Sequence, residues 1–301
     1  TAAIVEEISK KDQRVRLVNG KPLPSDGWIG KHWACCQLVE EAKGELILFV
    51  DADTSLKSGV LNITTSELID KSVDLLTLNP RRISKCWTEK MLNPFIDWAT
   101  FCFLPMGLAH SIAKPYLSAT FGQFMLFKKV AYESIGGHEA VRNNILDDME
   151  LGRMILRNGF RWQLLDGRKY VEAQAYTSNL ATISGISRNI LPTFDYHIGA
   201  IAIAVVVFFA LGIGPFISIA YWGFGRNPDG LLGMLSLLTV LMISTSWLMS
   251  CIRAERSPLN VLLFPAAIFL MLLVAGYSCL AAVVGVANWK GRRLVKHDIH
   301  I

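Results

Sequence analysis

The chain has 301 residues, a net charge of +5 at neutral pH and a hydrophobic content of 52%, with a mean hydropathy of +0.36. That length suits about two domains, and the hydropathy is too high for an ordinary soluble chain. The basic residues do not interleave with aromatics as on a nucleic-acid module, so nucleic acid is excluded as a partner. Six scattered cysteines without a Cys-x-x-Cys pair give neither a disulfide framework nor a zinc site, and read as reduced thiols.

Ala2 to Lys10, with apolar Ile4, Val5 and Ile8, reads as a helix. Opening on a helix suggests a domain whose first strand is missing from this sequence. A strand is expected over Val15–Val18, then a Gly/Pro-rich loop to Gly30, then a helix over Lys31–Ala42 with Gly44 at the C′ position that favours glycine. Leu46-Ile47-Leu48-Phe49-Val50 is apolar without alternation, the pattern of a parallel strand buried on both faces. Asp51-Ala52-Asp53 follows it directly. Ser58–Lys71 reads as a helix and Val73–Leu78 as another strand.

Pro94 to His110 carries one charge, Asp97, and is broken by Pro105 and Gly107. It is too short for a span and is expected to be an interfacial or re-entrant segment over 94–110. A further helix begins near Asp147, where Met149, Leu151, Met154 and Ile155 are periodic and the acids meet the positive end of the dipole. Residues 1–190 therefore read as an α/β domain. Residues 196–289 read as a membrane domain with spans at 198–222, 231–251 and 261–289, each longer than the roughly 20 residues that cross the hydrocarbon core.

Trp222 and Trp289, near the ends of these spans, suit the interfacial belt. The tail, 290–301, carries Lys290, Arg292, Arg293 and Lys296, which the positive-inside rule assigns to the cytoplasmic side. Three crossings from a cytoplasmic domain would leave that tail outside. Gly212, Gly214 and Pro215 make the first stretch the candidate for a re-entrant segment; the alternative is an exception to the charge bias.

Four constellations carry possible chemistry. In α/β sheets ligands bind at the carboxyl edge of the strands, and two carboxylates there, Asp51 and Asp53, offer hard oxygens to Mg²⁺ or Mn²⁺ beside phosphate. A solvated strand-end turn is the plain alternative. Asp147 and Asp148 are more acids than helix capping needs, so one can cap while the other serves as a general base. His138, after Gly136-Gly137, is a neighbour or a structural histidine. In Gly27-Trp28-Ile29-Gly30-Lys31, glycines allow close backbone approach, Trp28 offers a stacking face and Lys31 a charge for phosphate. Arg188, just before the first span, faces either a diphosphate or lipid headgroups.

In this order, Gly-Trp-Ile-Gly-Lys, Phe-Val-Asp-Ala-Asp-Thr, Gly122-Gln123-Phe124, Gly136-Gly137-His138-Glu139 and Asp147-Asp148 resemble the membrane-bound family 2 glycosyltransferases. Pro22-Leu23-Pro24, Gly-Gln-Phe-Met-Leu-Phe and Trp289-Lys290-Gly291-Arg292 look like the carotenoid branch, chlorobactene glucosyltransferase and diaponeurosporenoate glycosyltransferase among them.

The resemblance implies a GT-A (Rossmann-like) nucleotide-sugar-binding domain, incomplete at its N-terminus, followed by transmembrane helices. It implies that Asp53 binds Mg²⁺ or Mn²⁺ on the donor diphosphate, that Asp51 faces the nucleotide sugar or supports the ion, and that Asp148 is the base of an inverting displacement. Trp28, Gly30, Lys31, Gly122, Gln123, His138, Asp147 and Arg188 are then the other substrate-binding candidates. The implied partners are a nucleotide-diphosphate hexose, a carotenoid-like lipophilic acceptor and membrane lipid, with the catalytic domain cytoplasmic on a multi-pass cell-membrane protein. A sterol-like, hopanoid, ceramide or polyprenyl acceptor needs the same architecture. An opposed reading is a non-catalytic membrane protein with cation-binding acidic loops. Processive relatives carry Gln-x-x-Arg-Trp where this chain reads Gly185-Ile186-Ser187-Arg188-Asn189, which argues against a polysaccharide synthase.

Overall fold

The computed structural model describes residues 2–104, 106–223 and 230–284, with the backbone of Asn288–Trp289 and Arg292–Arg293. Helix α1 (Ala2–Ser9) and helix α2 (Gly30–Glu41) precede strand β1 (Leu46–Phe49). Strand β2 (Thr54–Leu56), helix α3 (Val60–Asp70) and strands β3 (Leu75–Asn79) and β4 (Arg81–Arg82) follow. Two helices, α4 (Trp87–Phe103) and α5 (Met106–Ile112), come before strand β5 (Met125–Lys128). Then come α6 (Lys129–Ser134), α7 (Gly137–Ala140), α8 (Asp147–Arg157), β6 (Trp162–Asp166), β7 (Val171–Ala173) and α9 (Asn179–Thr193). The apolar part holds α10 (Ile198–Gly212), α11 (Gly214–Gly223), α12 (Leu231–Arg253) and α13 (Phe264–Val284).

The α/β expectation holds for the class of fold, with a mixed sheet in place of a parallel one. The strand order is β1-β5-β3-β6, with Phe49 opposite Met125 and Leu75 opposite both Phe127 and Trp162. Only β3 and β6 run parallel within it. β3 is buried along its whole length because alternate residues feed two cores. Leu75 joins Met125, Phe127, Leu151 and Ile155 on one face, while Leu76 joins Leu68, Phe124 and Leu126 on the other. Each fully buried leucine contributes roughly 1.5–3 kcal/mol. A small second sheet, β2-β7-β4, opens with the strand that directly follows Asp51-Ala52-Asp53 in the chain.

Three local expectations are corrected. Among the described residues β1 stands at the end of the sheet, antiparallel to β5, with Leu46, Leu48 and Phe49 half-buried in place of the expected parallel strand buried on both faces. Val15–Val18 is extended but unpaired among the described residues; the Arg16–Glu41 ion pair at 2.8 Å lays it along α2 instead. Gly44 is not the left-handed stop of α2. The helix ends at an extended Ala42, whose N–H returns to the Val39 carbonyl at 3.0 Å.

Among the described residues, three helices are long and apolar enough to cross a membrane: Ile198–Gly223, Leu231–Arg253 and Pro258–Ala282. The first does break between α10 and α11, yet it counts as one stretch of 26 residues. Gly212 is needed there for contact, since a Cβ would lie 2.4 Å from Ile268 of α13. The sharper turn is the 52° bend between α4 and α5, within the expected 94–110 segment. Pro94 sits inside α4, whose Phe95 and Trp98 are buried against Trp247 and Phe264.

The residues just after α12 return to the α/β part, where Arg256 pairs with Asp97 of α4 and Glu255 with Arg81 of β4. Ile198–Gly223 and Leu231–Arg253 are thus consecutive apolar helices, and the chain leaving the second comes back to α4 and β4. Pro105, Trp289's side chain, the end of the expected third span and the basic tail with its Lys290 and Lys296 lie outside the described residues.

Candidate active site

The α8 sequence builds its own site. Leu151 and Ile155, one turn apart, bury one face, and Gly152 lets the helix approach Thr120, whose Cγ2 would lie 2.6 Å from a Cβ. This fixes the N-terminal turn, with Asp147 within reach of Lys31 and Asp148 within reach of Gly122. Neither acid is the helix N-cap; that position is Leu146, without a side-chain cap.

Lys31, on the first turn of α2, joins the two acidic sites. Its Nζ lies 3.1 Å from Asp51 Oδ1 and 3.2 Å from Asp147 Oδ2. Burial opposes its charge, but Asp147, Asp51 and Asp148 outweigh that and raise its pKa, so it stays an ammonium. Asp147 is buried among cationic and polar partners: His32 Nε2 at 3.7 Å, His138 Nε2 at 3.5 Å and Lys31. Burial raises its pKa, yet the two histidines and Lys31 hold the carboxyl well below the usual range.

The histidines are themselves oriented. Tyr132 Oη accepts the His138 backbone N–H at 2.9 Å and donates to its Nδ1 at 2.8 Å, leaving Nε2–H to face Asp147. Burial lowers the His138 pKa, in keeping with a neutral ring. His32 Nδ1 contacts the Arg142 carbonyl at 3.1 Å. His138 thus lies buried behind Asp147 as its support, not on the open side of the cleft.

Asp148 differs from its neighbour. Its Oδ2 accepts the Gly122 N–H at 2.9 Å and its Oδ1 the Met149 N–H at 2.8 Å. Burial first, then the Asp147 charge, push its pKa up to about 6, against Lys31 and the two N–H groups. Side by side, two carboxyls are held at opposite ends of the carboxylate range, the arrangement that separates a fixed anion from a base. Gly122 is required by contact: a Cβ would lie 3.3 Å from Lys31 Nζ and 3.4 Å from Asp148 Oδ2.

Asp51 lies at the cleft, and burial raises its pKa while Lys31 opposes the shift. Asp53 is exposed on the following turn. No group of three His, Cys, Asp or Glu side chains among the described residues could hold an ion unaided. Mg²⁺ commonly takes one or two carboxylates and completes its shell with water and substrate phosphates. Asp53 fits that donor set when a diphosphate is present.

Arg188 stands on α9, half-buried, with burial lowering its pKa against the opposing effect of Tyr176. The Tyr176 ring fills the space above Gly185, where a Cβ would lie 2.2 Å away. Tyr176 also feels the charge of Asp53, so Arg188 and Asp53 share this neighbour. Trp28 packs edge-on against Trp33 at 5.0 Å, Gly30 is the exposed first residue of α2, and Gln123 is half-buried beside Gly122. Sequence reasoning missed His32, Tyr132 and Tyr176. Only His32, directly after Lys31, carried a local signal.

A mixed α/β sheet that brings two acidic turns together on one lysine, followed by long apolar helices, defines an α/β domain with a polar cleft beside an apolar region. The sequence model of the "Glycosyltransferase like family 2" matches residues 1–188, and the chain belongs to that family. Among solved structures, the crystal structure of S. aureus TarS 1-349 in complex with UDP-GlcNAc aligns over 93% of this chain and 80% of that one, at 12% identity and a TM-score of 0.36. A likeness at that score carries no argument here. No curated protein matches the sequence.

Proposed function

We propose that the protein is an inverting hexosyltransferase that moves a sugar from a nucleotide diphosphate to a lipophilic, carotenoid-like acceptor at a membrane. The observation that carries this reading is the Lys31 bridge, which brings the donor-side Asp51 within 3.1 Å and the base-side Asp147 within 3.2 Å of one ammonium. A non-catalytic protein with two cation-binding loops has no need for them to converge.

In this reading Asp148 takes the proton of an acceptor hydroxyl, whose oxygen attacks the anomeric carbon as the bond to the diphosphate oxygen breaks. Asp147 stays ionised and keeps the shared proton affinity on Asp148. Arg188 faces the leaving diphosphate from α9, while Lys31 offsets the charge gathered between donor and base. An ion held by Asp53, Mg²⁺ or Mn²⁺, would supply further charge neutralisation to the diphosphate.

The apolar helices suit a multi-pass cell-membrane protein with a cytoplasmic catalytic domain. Since Asp51 and Asp147 flank α4–α5 in the chain and meet on Lys31, that bent pair returns to its starting side. This supports the reading of 94–110 as an interfacial or re-entrant segment. The test is transfer by full-length protein in membranes, with a panel of nucleotide sugars and lipid extracts as acceptors. A glycosylated apolar lipid supports the proposal; a product on ceramide, hopanoid or polyprenyl phosphate corrects the acceptor; hydrolysis-free inactivity with every donor contradicts it.

A further inference from the structure

Asp97 is the one acid in the apolar stretch of α4, and it is buried, with 3% of its surface exposed. Its two oxygens are used by residues far apart in the chain. Oδ1 accepts from Arg82 Nη1 of β4 at 2.7 Å, and Oδ2 from Arg256 Nε, just beyond α12, at 2.6 Å. Arg256 Nη2 also reaches the Arg82 carbonyl at 3.5 Å. Burying three charges is costly unless each is matched, so this cluster is poorly explained as an aid to stability alone.

Each end of the cluster leads somewhere. On the apolar side, Trp98, adjacent to Asp97, donates its indole N–H to Ser246 of α12 at 3.0 Å and packs on Trp247 at 5.1 Å. On the other side, the Arg82 guanidinium lies 5.3 Å over the Phe121 ring. Phe121 is pinned from below by Thr77 of β3, whose hydroxyl accepts its N–H at 2.9 Å and donates to its carbonyl at 3.2 Å. The next residue, Gly122, donates the N–H that holds Asp148. A continuous set of contacts thus runs from the end of α12 to the acid nominated as the base.

We propose that Asp97, Arg82 and Arg256 form a buried ionic clamp through which the apolar helices set the position of Asp148. Asp97 and Arg256 are positioning residues: neither touches the cleft, and both act through the Phe121–Gly122 turn. A shift of α12 against α4, as acceptor entry among these helices would produce, changes the clamp and so the hydrogen bond on Asp148. This couples base alignment to the state of the apolar region. The kinetic side of the inference rests on the glycosyltransferase reading above; the structural side does not.

The test uses the full-length protein in nanodiscs and two readouts on Arg256→Gln. Amide exchange at Gly122 should accelerate about tenfold or more while Met125–Lys128 of β5 keeps its protection. In transfer assays kcat should fall about ten- to hundredfold, as for a misplaced catalytic group, with the donor KM within about twofold. Ile268→Val, which thins the same apolar cluster without touching the clamp, should lower thermal stability and leave Gly122 exchange alone. If Arg256→Gln does not fold, Arg82→Lys provides the same two readouts. Unchanged exchange at Gly122, or exchange that rises across the whole sheet, overturns the clamp. Local acceleration at Gly122 in Arg256→Gln, when the wild-type protein itself transfers no sugar from any donor, supports the clamp and refutes the transferase reading.

Discussion

The two acidic turns of this protein have nearly the same composition and opposite surroundings. Asp51-Ala52-Asp53 follows β1, and Asp53 is open to solvent. Asp147-Asp148 begins a helix whose apolar face is locked into the core, and Asp147 is sealed behind His32, His138 and Lys31. Exposure leaves Asp53 accessible, which suits a group meant to meet an ion and a diphosphate that come and go. Burial forces neighbouring acids apart in proton affinity: Asp147 is held far below the usual carboxylate range and Asp148 is pushed up to about 6. The same residue type thereby serves as a donor ligand in one place and as a candidate base in the other. Lys31 is what makes the two turns one site.

The strongest way to break this comparison is to remove the bridge. Lys31→Gln leaves Asp51, Asp147 and Asp148 facing one another without a cation. The loss of a partner from a largely buried pair should cost about 3 kcal/mol of stability, measurable by denaturant unfolding in detergent, and turnover should fall on the order of a hundredfold. Unaltered stability would mean that the two sites are independent.

The pH dependence sharpens it next. With Asp148 titrating near 6, kcat should fall about tenfold per pH unit below that value, since a protonated base takes no proton. Stability should move the other way. A carboxyl whose pKa is higher folded than unfolded binds its proton more tightly in the native state, so the native state gains stability as pH falls from about 6 toward 4. Asp147, with its lowered pKa, works in the opposite sense, its contribution being lost as pH falls below about 4. Comparing the pH–stability profile of wild type with that of Asp148→Asn isolates the first slope.

The smallest expected effect concerns the donor side. Gly185→Ala places a Cβ 2.2 Å from the Tyr176 ring and should cost about 1–3 kcal/mol as an overpacked contact. If Tyr176 orders Arg188 beside Asp53, donor affinity should weaken while the acid limb near pH 6 stays put. A shifted acid limb would tie Tyr176 to the base instead.

Much of this was legible along the chain, for reasons that can be named. Asp147 and Asp148 announced themselves because an amphipathic helix with Leu151 and Ile155 on one face places its first turn at a sheet edge. Asp51 was visible because an apolar run stops at it. The apolar run itself misled, since Leu46–Phe49 reads the same at an edge as in a sheet centre; only pairing with β5, nearly 80 residues later, decides. His138 was visible as a candidate, but its place behind Asp147 depends on Tyr132. The Asp97 clamp was hidden entirely, because Arg82 and Arg256 are 174 residues apart and no local pattern joins them. Gly212 shows the converse: a glycine that reads as a break in a helix can be a contact with Ile268.

The division of labour between the two turns is tested most directly by measuring donor binding and turnover together for Asp53→Asn and Asp148→Asn, in full-length protein with the donor nucleotide sugar. The account predicts that Asp53→Asn weakens donor binding in the presence of Mg²⁺ or Mn²⁺. It predicts that Asp148→Asn binds donor within about twofold of wild type but loses transfer by about a thousandfold, within the range of a positioned general base. Transfer by Asp148→Asn near the wild-type rate, or donor binding lost equally in both variants, would contradict it.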